Sequence, residues 1–212
     1  MSVKIKICGI MDHAAARAAV HQSVTHLGFV FASSKRQVNA ATARAIGEGI
    51  PEYIKRVGVF VNAPLNELVR IGQEANLSVY QLHGDESPEL CRILKEMTGK
   101  EVWKAWRVRN NADDHMIERY GSAVDAILLD SYRAGQLGGT GQVFHWGCIP
   151  EFRRRLGTVP LFVAGGLTVA NVSALISHYR PDGVDVSSGV ELNGQKCPHL
   201  IERFVKKVRE SA

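Results

Sequence analysis

No stretch of the 212 residues approaches the length of an apolar membrane span. The N-terminal apolar run is broken by Lys4 and Lys6, unlike the core of a signal peptide, so a cytosolic location and no membrane partner are the expectations. Cysteine is scarce. The four, Cys8, Cys91, Cys148 and Cys197, lie far apart in no metal-like spacing, and a chain of this size needs no disulfide staples; free thiols are expected. There is no His-Glu-x-x-His and no Cys/His cluster, which argues against a catalytic metal. A Gly-x-Gly-x-x-Gly after the first strand is also missing, which counts against a dinucleotide cofactor. Finally, no long block of one charge exists. The net charge is +5 and the pI near 9.1, but Lys and Arg are scattered apart from Arg153 to Arg155 and Lys206 to Lys207 on expected helices. Such runs read as solvated faces, so no nucleic acid is expected, while the mild positive field suits a small anionic ligand.

What is present is a repeating alternation. Val3-Lys-Ile-Lys-Ile-Cys-Gly alternates Lys with β-branched residues and stops on Cys-Gly, the signature of a strand delivering a thiol to a turn. Strand starts follow near 3, 27, 56, 79, 102, 126, 161 and 183, with helices between them opened by Asp12, Asn39, Pro64, Ser87-Pro88, Asp113, Thr168 and, last, Pro198. Eight βα units with no linker predict one (β/α)₈ barrel spanning residues 1–212 as a single catalytic domain, with an open doubly wound sheet as the alternative. The longest gap, Ser131 to Trp146, holds Gly135, Gly138, Gly139 and Gly141 and is expected to form a lid.

In such a barrel chemistry is done at the C-terminal ends of the strands. Those ends supply Cys8, Arg36, Asn62, His83, Arg107 or Arg109, Asp130, Gly165-Gly166 and Ser187-Ser188-Gly189. The turns after strands seven and eight, Ala164-Gly-Gly-Leu and Val186-Ser-Ser-Gly-Val, suit a phosphate: small residues allow close approach, and backbone N–H groups and hydroxyls donate. A phosphorylated small molecule is the implied ligand. Taken singly, Cys8 could be an inert buried thiol, Asp130 a cap, His83 a hydrogen-bond partner and Arg36 a solvated charge beside Lys35. On one phosphate-binding rim, Cys8 and Asp130 become an acid-base couple, and Arg36 a clamp for a second anionic group such as a carboxylate.

The ordered set Lys6-Ile-Cys-Gly, Gly28-Phe-Val-Phe, Arg56-Val-Gly-Val-Phe-Val-Asn, Gln81-Leu-His-Gly-Asp, Leu128-Leu-Asp, Gly138-Gly-Thr-Gly, Ala164-Gly-Gly-Leu and Gly183-Val-Asp-Val-Ser-Ser-Gly-Val-Glu resembles the phosphoribosylanthranilate isomerase family of tryptophan biosynthesis. The resemblance implies an Amadori rearrangement of N-(5-phosphoribosyl)anthranilate to 1-(2-carboxyphenylamino)-1-deoxyribulose 5-phosphate, without cofactor or metal, by a monomer or homodimer. It puts Cys8 on the general base, Asp130 on the general acid and Arg36 on the anthranilate carboxylate. His83, Gly139, Gly141, Gly165, Gly166, Ser187, Ser188 and Gly189 fall on the substrate site, the last five at its phosphate end. Two departures stand out: Ser33-Ser-Lys-Arg36 is one residue shorter than the commoner form of that segment, and His145 replaces the family's usual Asp.

The implied roles meet a difficulty in proton arithmetic. Ordinary pKa values ionise Asp and protonate Cys, so Asp–COOH with Cys–S⁻ would be populated in roughly one molecule in 10⁴ to 10⁵. The expectation that follows is that burial and the substrate's charge raise Asp130 while nearby cations lower Cys8. Another phosphosugar isomerase or epimerase would more naturally carry a carboxylate or metal ligands in place of Cys8. A non-catalytic phosphate-binding barrel would have no use for either Cys8 or Asp130.

Overall fold

A computed structural model describes residues 2–108, 115–131 and 143–212. Gly139, Gly141, Arg109 and the body of the expected lid lie outside the described residues. Eight parallel strands close into a barrel: β1 Lys4–Cys8, β2 His26–Val30, β3 Lys55–Phe60, β4 Val79–Leu82, β5 Glu101–Val108, β6 Ala126–Ser131, β7 Leu161–Val163 and β8 Gly183–Val186, with β1 paired to β8. Each begins within one residue of its expected start. The helices are α1 His13–His21, α2 Ala40–Gly47, α3 Leu65–Glu74, α4 Pro88–Thr98, α5 Ile149–Leu156, α6 Val172–Tyr179 and α7 Pro198–Ser211. No helix among the described residues is long and apolar enough to cross a membrane.

Two expectations need correction. Between β5 and β6 the described residues hold only a 3₁₀ segment, His115–Tyr120, where an α-helix from Asp113 is expected. The helix after β7 opens at Val172 with Asn171 as its cap, rather than at Thr168. Thr168 accepts the Ala170 N–H on its hydroxyl and the Val172 N–H on its carbonyl, and donates its own N–H to Asn171 Oδ1, closing a local turn over 168–171 so that the helix starts three residues later. A feature the sequence pattern does not announce follows β8: a short antiparallel pair, β9 Glu191–Leu192 and β10 Gln195–Lys196, turned through Asn193 and Gly194 at positive φ.

Strand parity divides the core in two. Ile5 and Ile7 on β1 face outward into the layer between barrel and helices, with Leu27, Phe29, Leu129, Val184 and the inner faces of α1 to α7. The barrel interior is a smaller cluster: Val57, Val79, Trp103, Ala105, Ala126, Leu128, Phe162 and Ala164. Trp103 and Phe162 fill its centre, ring centroids 4.4 Å apart, with the His26 imidazole tilted against Trp103 and edge-on to Phe162. That plug closes the barrel below the level of Cys8 and Asp130, so any ligand approaching these two is confined to the upper rim.

Candidate active site

Lys6 and Cys8 share the inward face of β1, two residues apart, as do Gln81 and His83 on and just past β4. One rim cavity is lined by Cys8, Arg36, Gln81, His83, Asp130, Gly165, Gly166, Asp185, Ser187 and Ser188 among others. Eight of the residues singled out in the sequence thus meet on one wall. Three rim residues do not join them. Gly189 stands behind the cavity, where an added Cβ would fall 1.8 Å from the Leu167 carbonyl oxygen; it lets the loop after β8 lie directly on the loop after β7. Asn62 accepts from the Asp85 N–H at 2.7 Å and receives the Glu86 carboxylate on its own N–H, binding the loops after β3 and β4 together. Arg107 is paired outward with Asp85.

Asp130, next to last in β6, is nearly buried, its Oδ1 accepting from the Ser131 N–H at 2.7 Å. Its other oxygen lies 3.2 Å from His83 Nε2, an ion-pair separation should the ring be protonated, although the angles are not those of a hydrogen bond. Gly165, at φ +76°, passes immediately over this carboxylate: a Cβ there would meet Asp130 Oδ1 at 2.7 Å and the Ser131 nitrogen at 2.6 Å. Gly165 and Gly166 are both left-handed, so the turn exposes backbone close to the acid at little conformational cost.

Arg36, the expected clamp, is already paired within the protein. Its Nε and Nη2 donate to the two carboxylate oxygens of Glu191 at 2.6 and 2.9 Å, a bidentate pair that leaves Nη1 as the edge no described residue engages. Glu191 also accepts from Lys196 Nζ at 2.7 Å, and the same ammonium donates to the Ser187 carbonyl and hydroxyl at 3.0 and 3.2 Å. Burial works against the Glu191 charge, but the hydrogen bonds from Arg36 and Lys196 hold its carboxyl down to about 2. Ser187 in turn donates its hydroxyl to the Cys8 carbonyl at 3.0 Å, so β9 and β10 brace Arg36, Ser187 and the end of β1 as one unit.

The expectation that nearby cations lower Cys8 is not met. Burial pushes the thiol up, and Lys6 and Lys196 pull against that without overcoming it, so the free protein holds Cys8 as a thiol at neutral pH. Behind it, Lys6 Nζ donates to Asp185 Oδ2 at 2.9 Å. Burial raises Asp185 with the Lys6 pair opposing; Lys6 itself is pulled down by burial but raised on balance by the Asp185 charge and hydrogen bond, and stays protonated. Among the described residues no group of His, Cys, Asp or Glu is arranged to hold a metal ion.

Sequence reasoning passes over Lys6, Gln81, Asp185, Glu191 and Lys196. Lys6, Gln81 and Asp185 each stand two residues before a residue that was singled out, on the same strand face, and parity alone would have drawn them in. Glu191 and Lys196 carry no such signal, because their placement depends on a hairpin of only two residues a side.

The comparisons agree with this architecture. The sequence profile of the family described as N-(5'phosphoribosyl)anthranilate (PRA) isomerase matches residues 5–207. The N-(5'-phosphoribosyl)anthranilate isomerase of Moorella thermoacetica is 43% identical over 209 residues, covering 99% of this chain and 91% of that one. Among solved structures, the phosphoribosyl anthranilate isomerase of Thermotoga maritima superposes with a TM-score of 0.88 at 36% identity, over 98% of this chain and 99% of its own. A structure of phosphoribosyl anthranilate isomerase in complex with reduced 1-(o-carboxyphenylamino)-1-deoxyribulose 5-phosphate superposes at 0.85 with 35% identity and the same coverage.

Proposed function

Because the chain belongs to the N-(5'-phosphoribosyl)anthranilate isomerase family, we propose that Cys8 and Asp130 carry the family's isomerisation of phosphoribosylanthranilate in the rim cavity, as general base and general acid. The observation that supports the pairing is that both side chains line this one cavity, together with the two left-handed glycines and the two serines after β7 and β8. Asp130 donates a proton to the ribose ring oxygen; the C1′–O bond breaks and the anilino nitrogen's lone pair forms an iminium. Cys8 as thiolate then removes the C2′ proton, the C–H electron pair forms the C1′–C2′ double bond of an enolamine, and the iminium π pair returns to nitrogen. Tautomerisation of the enol, with a proton delivered to C1′, gives the ketone.

Electrostatics divides the ligand between the two sides of the cavity. Gly165, Gly166, Ser187 and Ser188 present backbone donors, and Ser188 a hydroxyl, suited to the phosphate. Arg36, held by Glu191, offers Nη1 to the carboxylate. Cys8 is a thiol in the free protein, so it acts as base only once its own proton has been given up.

The test is steady-state turnover of phosphoribosylanthranilate, generated in place and followed by fluorescence, for Cys8→Ser and Asp130→Asn across pH. Each substitution is expected to lower kcat by about 10² to 10⁴. Near-parental turnover of Cys8→Ser would move the base elsewhere, with Asp130 or His83 the next groups in reach.

A further inference from the structure

We propose that Lys6, held in place by Asp185, is the positioning residue that governs the protonation of the Cys8 thiol. The inference rests on the assignment of Cys8 as the base, and its test reads the thiol directly so that the two stand or fall separately.

The Lys6 side chain has no solvent exposure, and an ammonium withdrawn from water costs several kcal/mol before any partner is counted. Packing does not require it there, since the neighbouring interior positions are filled by Trp103, Phe162 and aliphatic residues. Lys6 lies opposite Asp185 in the β1–β8 register and opposite His26 in the β1–β2 register. Asp185 Oδ2 takes one N–H of the ammonium; Oδ1 is buried with no partner although Asp185 lines the cavity. Gly28 makes the arrangement possible by space alone, for a Cβ there would fall 2.8 Å from Cys8 Sγ and 3.1 Å from Lys6 Cε. The thiol and the lysine stem therefore lie against the same small hollow, which brings the ammonium's charge to bear on the sulfur.

The other charged groups near Cys8 do not take over this part. Lys196 on β10 and Arg36 after β2 are both committed to Glu191. His26 on β2 is held neutral, its pKa pushed down to about 3 by burial and by Lys55, Lys6 and Lys4. Asp130 on β6 and His83 after β4 face Asp185 from across the mouth. The pair next to the sulfur is thus polarised, with Lys6 favouring thiolate and Asp185 favouring thiol. Opposite effects on the thiol are the mark of this role. A pair that merely fills the barrel would change stability without changing the direction in which Cys8 titrates.

The experiment is the pH dependence of iodoacetamide alkylation at Cys8 in the full-length protein, read from the Cys8-containing peptide by mass spectrometry so that Cys91, Cys148 and Cys197 do not contribute. At one fixed pH on the rising limb, Lys6→Met is expected to slow Cys8 alkylation about tenfold, equivalent to an upward shift of about one pH unit. Lys6→Arg should restore most of that rate, and Asp185→Asn should move the profile in the opposite direction, to lower pH. If Lys6→Met does not fold, Lys6→Arg and Asp185→Asn still decide the matter. A profile unchanged in folded Lys6→Met, or displaced to higher pH by Asp185→Asn, overturns the proposal. Retained turnover in Cys8→Ser would instead overturn the base assignment, leaving the titration of the thiol as measured.

Discussion

Glu191 does more than neutralise Arg36. With both its oxygens on Nε and Nη2, the guanidinium is fixed in plane and rotation, and only one edge remains to meet a ligand. Ordering a free arginine on binding costs side-chain entropy, which this pair has already lost in the folded protein. Glu191→Gln keeps the shape, weakens the hold on both Arg36 and Lys196, and leaves the acid and the base in place. KM for phosphoribosylanthranilate is expected to rise about tenfold with kcat within about twofold, a loss near 1.4 kcal/mol of binding, in the range of one charge-assisted hydrogen bond. Unchanged KM would remove Arg36 from substrate binding. At this scale the sequence was only half legible. Cys8, Arg36, His83, Asp130, Gly165 and Ser187 could be found because strand ends are where a barrel keeps its unusual residues. Of the residues around them, Lys6, Gln81 and Asp185 were open to strand parity alone, whereas Glu191 and Lys196 depend on long-range contacts that no local pattern encodes.

Among elements, the turn after β7 is the most constrained. Gly165 combines a left-handed backbone with contact to Asp130 and Ser131 closer than a methyl group allows. Gly165→Ala is expected to cost about 1–3 kcal/mol of stability from the strained φ. It should also lower kcat, because the carboxylate must shift to clear the new carbon. Thermal or urea unfolding and steady-state kinetics on the same preparation check both parts; lost stability with intact kcat would mean that Asp130 keeps its position independently of the turn. Strand starts were readable to within a residue because buried parallel strands are dense in Val, Ile and Leu between clear breaks. The helix after β7 was misplaced by three residues for a local reason: Thr168 and Asn171 spend their side chains on the turn over 168–171, and Asn171 precedes the helix without a side-chain cap bond.

For the whole molecule, His26 links barrel stability to pH. Its ring is buried beside Trp103 and Phe162, and Thr25 Oγ1 lies 2.7 Å from its Nδ1. Burial first, then the charges of Lys55, Lys6 and Lys4, hold its pKa at about 3 against 6.5 for the free residue. The unfolded chain therefore binds a proton between those values that the folded barrel does not, and folding free energy weakens as pH falls through that window. At pH 5 this residue alone should remove about 2 kcal/mol relative to pH above 7, measured as a smaller urea-unfolding free energy. A folded His26→Gln variant should lose that part of the pH dependence; the same slope in parent and variant would assign it to other groups.

The pairing of β1 with β8 has a consequence for how the protein comes into being. Cys8 leaves the ribosome well before Asp185, Ser187, Glu191 and Lys196, which complete its surroundings. A nascent or prematurely terminated chain that stops before Gly183 can form several βα units yet owns neither the seam that closes the barrel nor the brace behind Arg36. Isomerase activity is accordingly a reporter of finished chains: fragments should be silent singly and regain turnover only when complementary pieces associate across the β1–β8 seam.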